Sequence, residues 1–230
     1  MRLNRRHFLT SAAALGAAGL VPGLAFPEAP GPKPAHTTPD SALAALVAGN
    51  KRFAAGTSLQ TAHSARREAL AGGQAPFAIV LSCSDSRVPP EIIFDQSLGD
   101  LFIVRIAGNF AEPDGIGSMQ YAVAHFNSPL LLVLGHTSCG AVHAAVDNVK
   151  AGSPPAPGNI EDIVKAISPA VLAVLHKPGD MYANATAENV RENVARLKSV
   201  EVIIKQAVKT GELKVVGGIY DLRTGLVNLL

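Results

Sequence analysis

Tryptophan is absent from the 230 residues, and with three Tyr and eight Phe the aromatic content is only 5%. So few rings, and no block of Lys or Arg, argue against the stacking platforms and phosphate-tracking grooves of nucleic-acid-binding proteins. Charge is also scarce: 17% of residues are Asp, Glu, Lys or Arg, against 48% hydrophobic. Such a chain is too apolar for disorder and long enough to bury one substantial core. There is no internal repeat or low-complexity tract. Cysteine occurs only twice, at Cys83 and Cys139, which excludes a disulfide-dense scaffold and leaves three readings: one bridge, two core thiols, or two metal ligands.

The first residues carry an address. Asn4-Arg5-Arg6-His7-Phe8-Leu9-Thr10 leads into an Ala/Gly/Leu-rich stretch ending near Leu24, a basic region followed by an apolar one, as in a signal peptide. Paired arginines before Phe-Leu resemble the twin-arginine type, whose receptor exports cargo already folded. Gly23 and Ala25 fit the small residues before a cut, so residues 1–25 are expected to be removed and the protein to be periplasmic or secreted. Three of the 20 basic residues lie in that segment, leaving 17 against 18 acidic ones; the mature protein is close to neutral, and no membrane-spanning helix is expected in it. Residues 26–39 hold prolines at 27, 30, 32, 34 and 39 and read as an extended tether.

Residues 40–230 read as one domain. Asp40 can cap a helix carrying Leu43, Leu46, Val47 and Phe53, which Gly56 would end. Phe77–Leu81, Leu101–Ile106 and Leu130–Leu134 are short apolar runs without alternation, the signature of strands buried on both faces. Helix-compatible segments separate them, the first entered through Pro89-Pro90 and the second spanning about Gly117 to Phe126. A further amphipathic helix is expected over Thr186–Thr210, followed by a strand over Leu213–Tyr220 and an edge strand over Leu226–Leu230. The fold class is therefore α/β, with a mostly parallel central sheet flanked by helices, Rossmann-like in layout, and an N-terminal helical arm.

Chemistry concentrates at two strand ends. Cys83 follows one apolar run; His136 follows another, with Cys139 three residues on. Ligands of open parallel sheets gather beyond the carboxyl ends of the strands, so these residues can converge if their strands are neighbours. Two thiolates and an imidazole suit zinc, and three protein ligands leave a fourth position open, as catalytic sites do. Cys83-Ser84-Asp85-Ser86-Arg87 adds a carboxylate and a guanidinium. An Asp beside an Arg stays ionised and oriented, although an Asx-turn with a neighbouring surface Arg gives the same string.

Cys83-Ser-Asp-Ser-Arg-Val-Pro-Pro-Glu91, Arg105-Ile-Ala-Gly-Asn109 and Gly135-His-Thr-Ser-Cys-Gly-Ala-Val142 resemble the signature blocks of β-class carbonic anhydrases, in the family's order. Gly49-Asn50-Lys51-Arg52-Phe53 and Tyr220-Asp-Leu-Arg-Thr-Gly225 extend the likeness over nearly the whole mature chain. The resemblance implies reversible hydration of carbon dioxide to bicarbonate with one zinc ion per subunit. It makes Cys83, His136 and Cys139 the metal ligands and Asp85 and Arg87 the catalytic pair, with Asp85 a possible fourth ligand in a closed state. Gln74, Phe102 and Tyr121 resemble a substrate pocket, although a strand Phe and a helix Tyr can equally be core. A homodimer or higher homo-oligomer is implied, with the N-terminal helix over the partner. The absence of Trp speaks against the bicarbonate-binding regulatory pocket that some members build around one. A related hydrolase of carbon disulfide or carbonyl sulfide, and a non-catalytic zinc or redox module, share the same motifs.

Overall fold

In a computed structural model, residues 35–59, 63–152, 156–199 and 202–230 are described; the expected signal segment and most of the tether lie outside them. The elements run α1 (Pro39–Ala54), α2 (His63–Ala69), β1 (Ala78–Ser82), α3 (Pro90–Ile93), β2 (Leu101–Arg105), α4 (Pro113–Phe126), β3 (Leu130–His136), α5 (Gly140–Ala151), α6 (Ile160–Ala173), α7 (Met181–Ser199), α8 (Ile203–Lys209), β4 (Lys214–Tyr220) and β5 (Val227–Leu229). The strands form one sheet in the order β2-β1-β3-β4-β5, parallel except for β5.

The two central strands are buried along their whole length, as unbroken apolar runs demand when both faces are covered. Alternation then sorts their side chains. Leu130, Leu132 and Leu134 face α1 and α3 with Phe77, Ile93 and Phe94. Leu131 and Val133 face the opposite layer, with Met119 of α4, Val190 and Leu197 of α7 and Ile204 of α8. A third cluster joins α5 and α6 and reaches Cys83 and Cys139.

Two expectations change. Helix α1 is capped by Thr38, which exchanges bonds with Ser41 in a capping box; Asp40 sits in the first turn and pairs with Lys214. One face of the helix is anchored on its own chain. Ala42 and Leu46 are buried against that chain's sheet, and Asn50 donates to the carbonyls of Ile93 and Gly225 while accepting from Val227 N–H. The single helix expected over Thr186–Thr210 is two, α7 and α8, separated at Val202, whose φ is 67°. One straight rod could not place Val190 and Leu197 on the sheet and also Ile204 against α4. Helix α6 was not read from sequence; Pro169 within it weakens the local signal, while burial of Val164, Ile167 and Val171 supplies the stability.

The order of strands decides where a site can form. The chain leaves β1 for β2 on one side, then returns to β3 on the other, so the crevice beyond the ends of β1 and β3 is the switch point of the sheet. Ser82, the last residue of β1, is level with Leu134 of β3. Cys83 and His136 therefore emerge into the same space.

Candidate metal centre

Cys83 begins the loop after β1, His136 ends β3, and Cys139 is the N-cap of α5. Their ligand atoms lie within 4.8 Å of one another, and all three residues are buried. The two thiols are free, with Sγ atoms 3.9 Å apart; a bridge would need about 2.04 Å. The Nδ1 of His136 is 2.9 Å from the carbonyl of Thr137. A carbonyl only accepts, so Nδ1 donates to it and Nε2 is the ring nitrogen left for the thiols' side. Nε2 is fully buried without a hydrogen-bond partner, a costly condition that a metal ion would relieve. Donor softness, three ligands and the Thr137 carbonyl that orients the imidazole all fit zinc with one position left over.

The thiols are electrically uneven. Cys83 is pulled well below the ordinary thiol range, first by the thiol of Cys139 and then, against burial, by His136 and the Gly108 N–H, which lies 3.3 Å from its sulfur. Cys139 is pushed up by the Cys83 sulfur and by burial, while the N–H groups of Ala141 and Val142 at the start of α5 favour its thiolate. Two sulfurs this close oppose ionising together, and a divalent cation between them would remove that opposition.

Beside them Asp85 is gripped by Arg87. Nε donates to Oδ1 at 2.9 Å, Nη2 to Oδ2 at 2.7 Å, and the Arg87 N–H to Oδ1 at 2.9 Å. This fork holds the Asp85 carboxyl far below the usual carboxylate range. Oδ2 stands 3.9 Å from His136 Nε2, facing the ligand atoms but outside hydrogen-bond reach. Arg105 fastens the loop from the neighbouring strand, donating to the carbonyls of Cys83 at 2.9 Å and Asp85 at 2.6 Å.

The chain is similar to known proteins. The carbonic anhydrase family model matches residues 78–227. Carbonic anhydrase 2 of Mycobacterium tuberculosis is 41% identical over 191 residues, 83% of this chain and 92% of that protein. The carbonic anhydrase of Mycolicibacterium smegmatis is 40% identical over 195 residues, 84% of this chain and 94% of that one. Among solved structures, the Coccomyxa β-carbonic anhydrase in complex with acetazolamide superposes with a TM-score of 0.65 at 28% identity, covering 73% of this chain and 77% of its own. The chain belongs to the β-class carbonic anhydrases.

The remaining residues singled out in this β-carbonic anhydrase lie elsewhere. Gln74 is half-buried in the loop before β1. Phe102 and Tyr121 meet, their ring centroids 6.5 Å apart, beside Phe126. Phe102 is level with Ile79, four residues before Cys83, so roughly 13 Å of strand separates its level from the ligand end. Within one chain the ligand cluster and the Asp85–Arg87 pair come together, and these three residues do not join them. Sequence reasoning gave no role to Arg105. Its signal is positional: it ends β2 level with Ser82, where a long donor can reach the loop after β1.

Proposed function

We propose that this chain reversibly hydrates carbon dioxide to bicarbonate and a proton, using one zinc ion per subunit held by Cys83, His136 and Cys139. The observation that carries the reading is the buried, unpartnered His136 Nε2 set within 4.8 Å of two free thiols. Zinc bound there supplies the Lewis acidity that turns water into a nucleophile near neutral pH.

Asp85 and Arg87 supply direction. Held ionised, Asp85 offers only lone pairs, so the attacking water points an O–H at Oδ2 and keeps its own lone pair for the carbon of carbon dioxide. Arg87 fixes both carboxylate oxygens, and Arg105 holds the peptide on either side of them. In this geometry Asp85 is engaged with Arg87; moving onto the metal as a fourth ligand would require breaking that fork. The proton leaves to solvent or buffer, the metal loop being bordered by the exposed Ser84 and Ser138.

In this reading Gln74, Phe102 and Tyr121 form the substrate pocket, the amide polarising an oxygen of carbon dioxide and the rings excluding water. They lie away from the ligand cluster of their own chain, so a second copy delivers them and a homodimer is the smallest active unit. The partly exposed cluster of Phe102 on the outermost strand with Tyr121 and Phe126 of α4 supports an interface there. Residues 1–25 direct export by the twin-arginine route to the periplasm or beyond, residues 26–39 form a tether, and residues 40–230 the catalytic domain. Among the described residues no helix is long and apolar enough to cross a membrane. Hydrolysis of carbon disulfide or carbonyl sulfide is not favoured, the relatives near 40% identity being carbonic anhydrases.

The test is stopped-flow carbon dioxide hydration across pH, together with zinc analysis and thiol titration. Zinc-dependent turnover is expected. A purified chain carrying no stoichiometric zinc, or with Cys83 bonded to Cys139, would remove the basis of the reading.

A further inference from the structure

We infer that Asn189 and Asn193 of α7 are positioning residues for Cys83 as a metal ligand, acting through the Gly108 peptide segment; the inference rests on the zinc reading above. The N–H of Gly108 donates to Cys83 Sγ at 3.3 Å. To aim it there the chain takes two successive left-handed residues, Gly108 at φ 83° and Asn109 at φ 44°. A run of this kind persists only where its surroundings hold it.

The surroundings are a short relay of side-chain amides. Asn189 Nδ2 donates to the Gly108 carbonyl at 2.8 Å. Asn193 Nδ2 donates to Asn189 Oδ1 at 3.1 Å and to the Asn189 carbonyl at 2.7 Å. The Ala111 N–H then donates to Asn193 Oδ1 at 2.7 Å. Both ends are backbone groups of fixed polarity: the Gly108 carbonyl only accepts, and the Ala111 amide only donates. The direction of both side-chain amides is therefore dictated, and the segment between residues 108 and 111 is held at both ends.

These residues lie on the buried face of α7. Asn189 is 1% and Asn193 6% exposed, one turn apart beside the buried Val190 and Leu197. Buried amides are costly unless fully bonded, and here the bonds end on the loop that faces a ligand sulfur. On its other side Gly108 packs closely: a Cβ there would stand 2.5 Å from Ile167 Cδ1. An N–H directed at a thiolate withdraws electron density from it and fixes its position, the kind of outer-shell contact that tunes a metal site.

Cobalt(II) substituted for zinc in the full chain provides the readout, since the thiolate-to-cobalt charge-transfer band reports electron density at sulfur; competition with a chelator gives zinc affinity. Asn189→Ala is expected to move the band to longer wavelength and to weaken zinc binding about 10–100-fold, and Asn193→Ala to do the same to a lesser degree. Asn50→Ala, which removes three hydrogen bonds to Ile93, Gly225 and Val227, is the control: it lowers the melting temperature without moving the band. An unmoved band with unchanged affinity in folded Asn189→Ala overturns the inference, as does an equal shift in Asn50→Ala. If Asn189→Ala is not recovered folded, Asn193→Ala decides by the same criterion. A wild-type chain that takes up neither metal is a separate result and overturns the zinc reading itself.

Discussion

The two ends of this sheet are built differently. Beyond the carboxyl ends of β1 and β3, polar and soft side chains are tied down: the buried His136 by the Thr137 carbonyl, the buried Cys83 by the Gly108 N–H, and the partly buried Asp85 by Arg87. Along β2, at the outer edge, the reverse holds: Phe102, Tyr121 and Phe126 are apolar rings left partly open to solvent. A metal ion must be met by several ligands at once, and one chain with the right strand order can bring them together. Rings facing solvent gain their full burial only against another surface. The ligand cluster is assembled from one copy, and the β2 edge leaves the rings beside it partly open.

Substitutions at each end should separate the two. The largest effect is expected from Cys83→Ala, which removes a ligand: stoichiometric zinc is lost and hydration falls to the uncatalysed level, by metal analysis and stopped-flow. Next comes Asp85→Asn, which keeps the shape but loses the ionised acceptor. Zinc should remain bound while kcat/KM drops about 10²–10⁴-fold; an unchanged kcat/KM would leave Asp85 a structural residue.

Tyr121→Lys sharpens the contrast from the other side. It should weaken self-association in sedimentation and reduce activity roughly 10–100-fold, the range for a mispositioned pocket, while the zinc content stays at one per chain. If turnover is intact in a monomer, the edge has no part in the site. Gly108→Ala is expected to destabilise by about 1–3 kcal/mol, because the new Cβ meets Ile167 and must sit at positive φ; thermal or denaturant unfolding measures it.

The smallest effect concerns acid. Asp85 is held below its unfolded value of about 3.9. Its pairing with Arg87 therefore contributes its full stability above roughly pH 4, and that contribution is lost as pH falls through the lower folded value. Urea unfolding of wild type and Asp85→Asn should diverge above that pH and converge in stronger acid.

Much of this was legible before any coordinates. Strands β1 and β3 announced themselves as uninterrupted apolar runs, because burial on both faces removes the polar alternation that marks a surface strand. The ligand cluster was legible for the same reason, since chemistry-bearing residues follow directly on those runs. The split between α7 and α8 was not, because the apolar spacing continues across it and only the need to face two different neighbours breaks the rod. Asn189 and Asn193 were passed over beside Val190, Val194 and Leu197, although a buried amide pair one turn apart on an apolar face is itself a signal. Nor could sequence say that α1 docks on its own sheet, since an apolar helix face specifies that it must be covered and not by which copy.

What the sequence determined alone was therefore local and compositional: which segments are buried strands, which residues are able to bind a soft metal, and that an Asp and an Arg stand two residues apart, able to pair. The tertiary structure decided the order β2-β1-β3-β4, and with it everything that depends on distance. Only when β1 and β3 lie side by side do residues 83 and 136 share one space, and only the same order leaves β2 outermost with its rings uncovered. The physical reason is that spacing along a chain fixes the periodicity of side chains on one element, whereas proximity between elements is set by which faces bury each other.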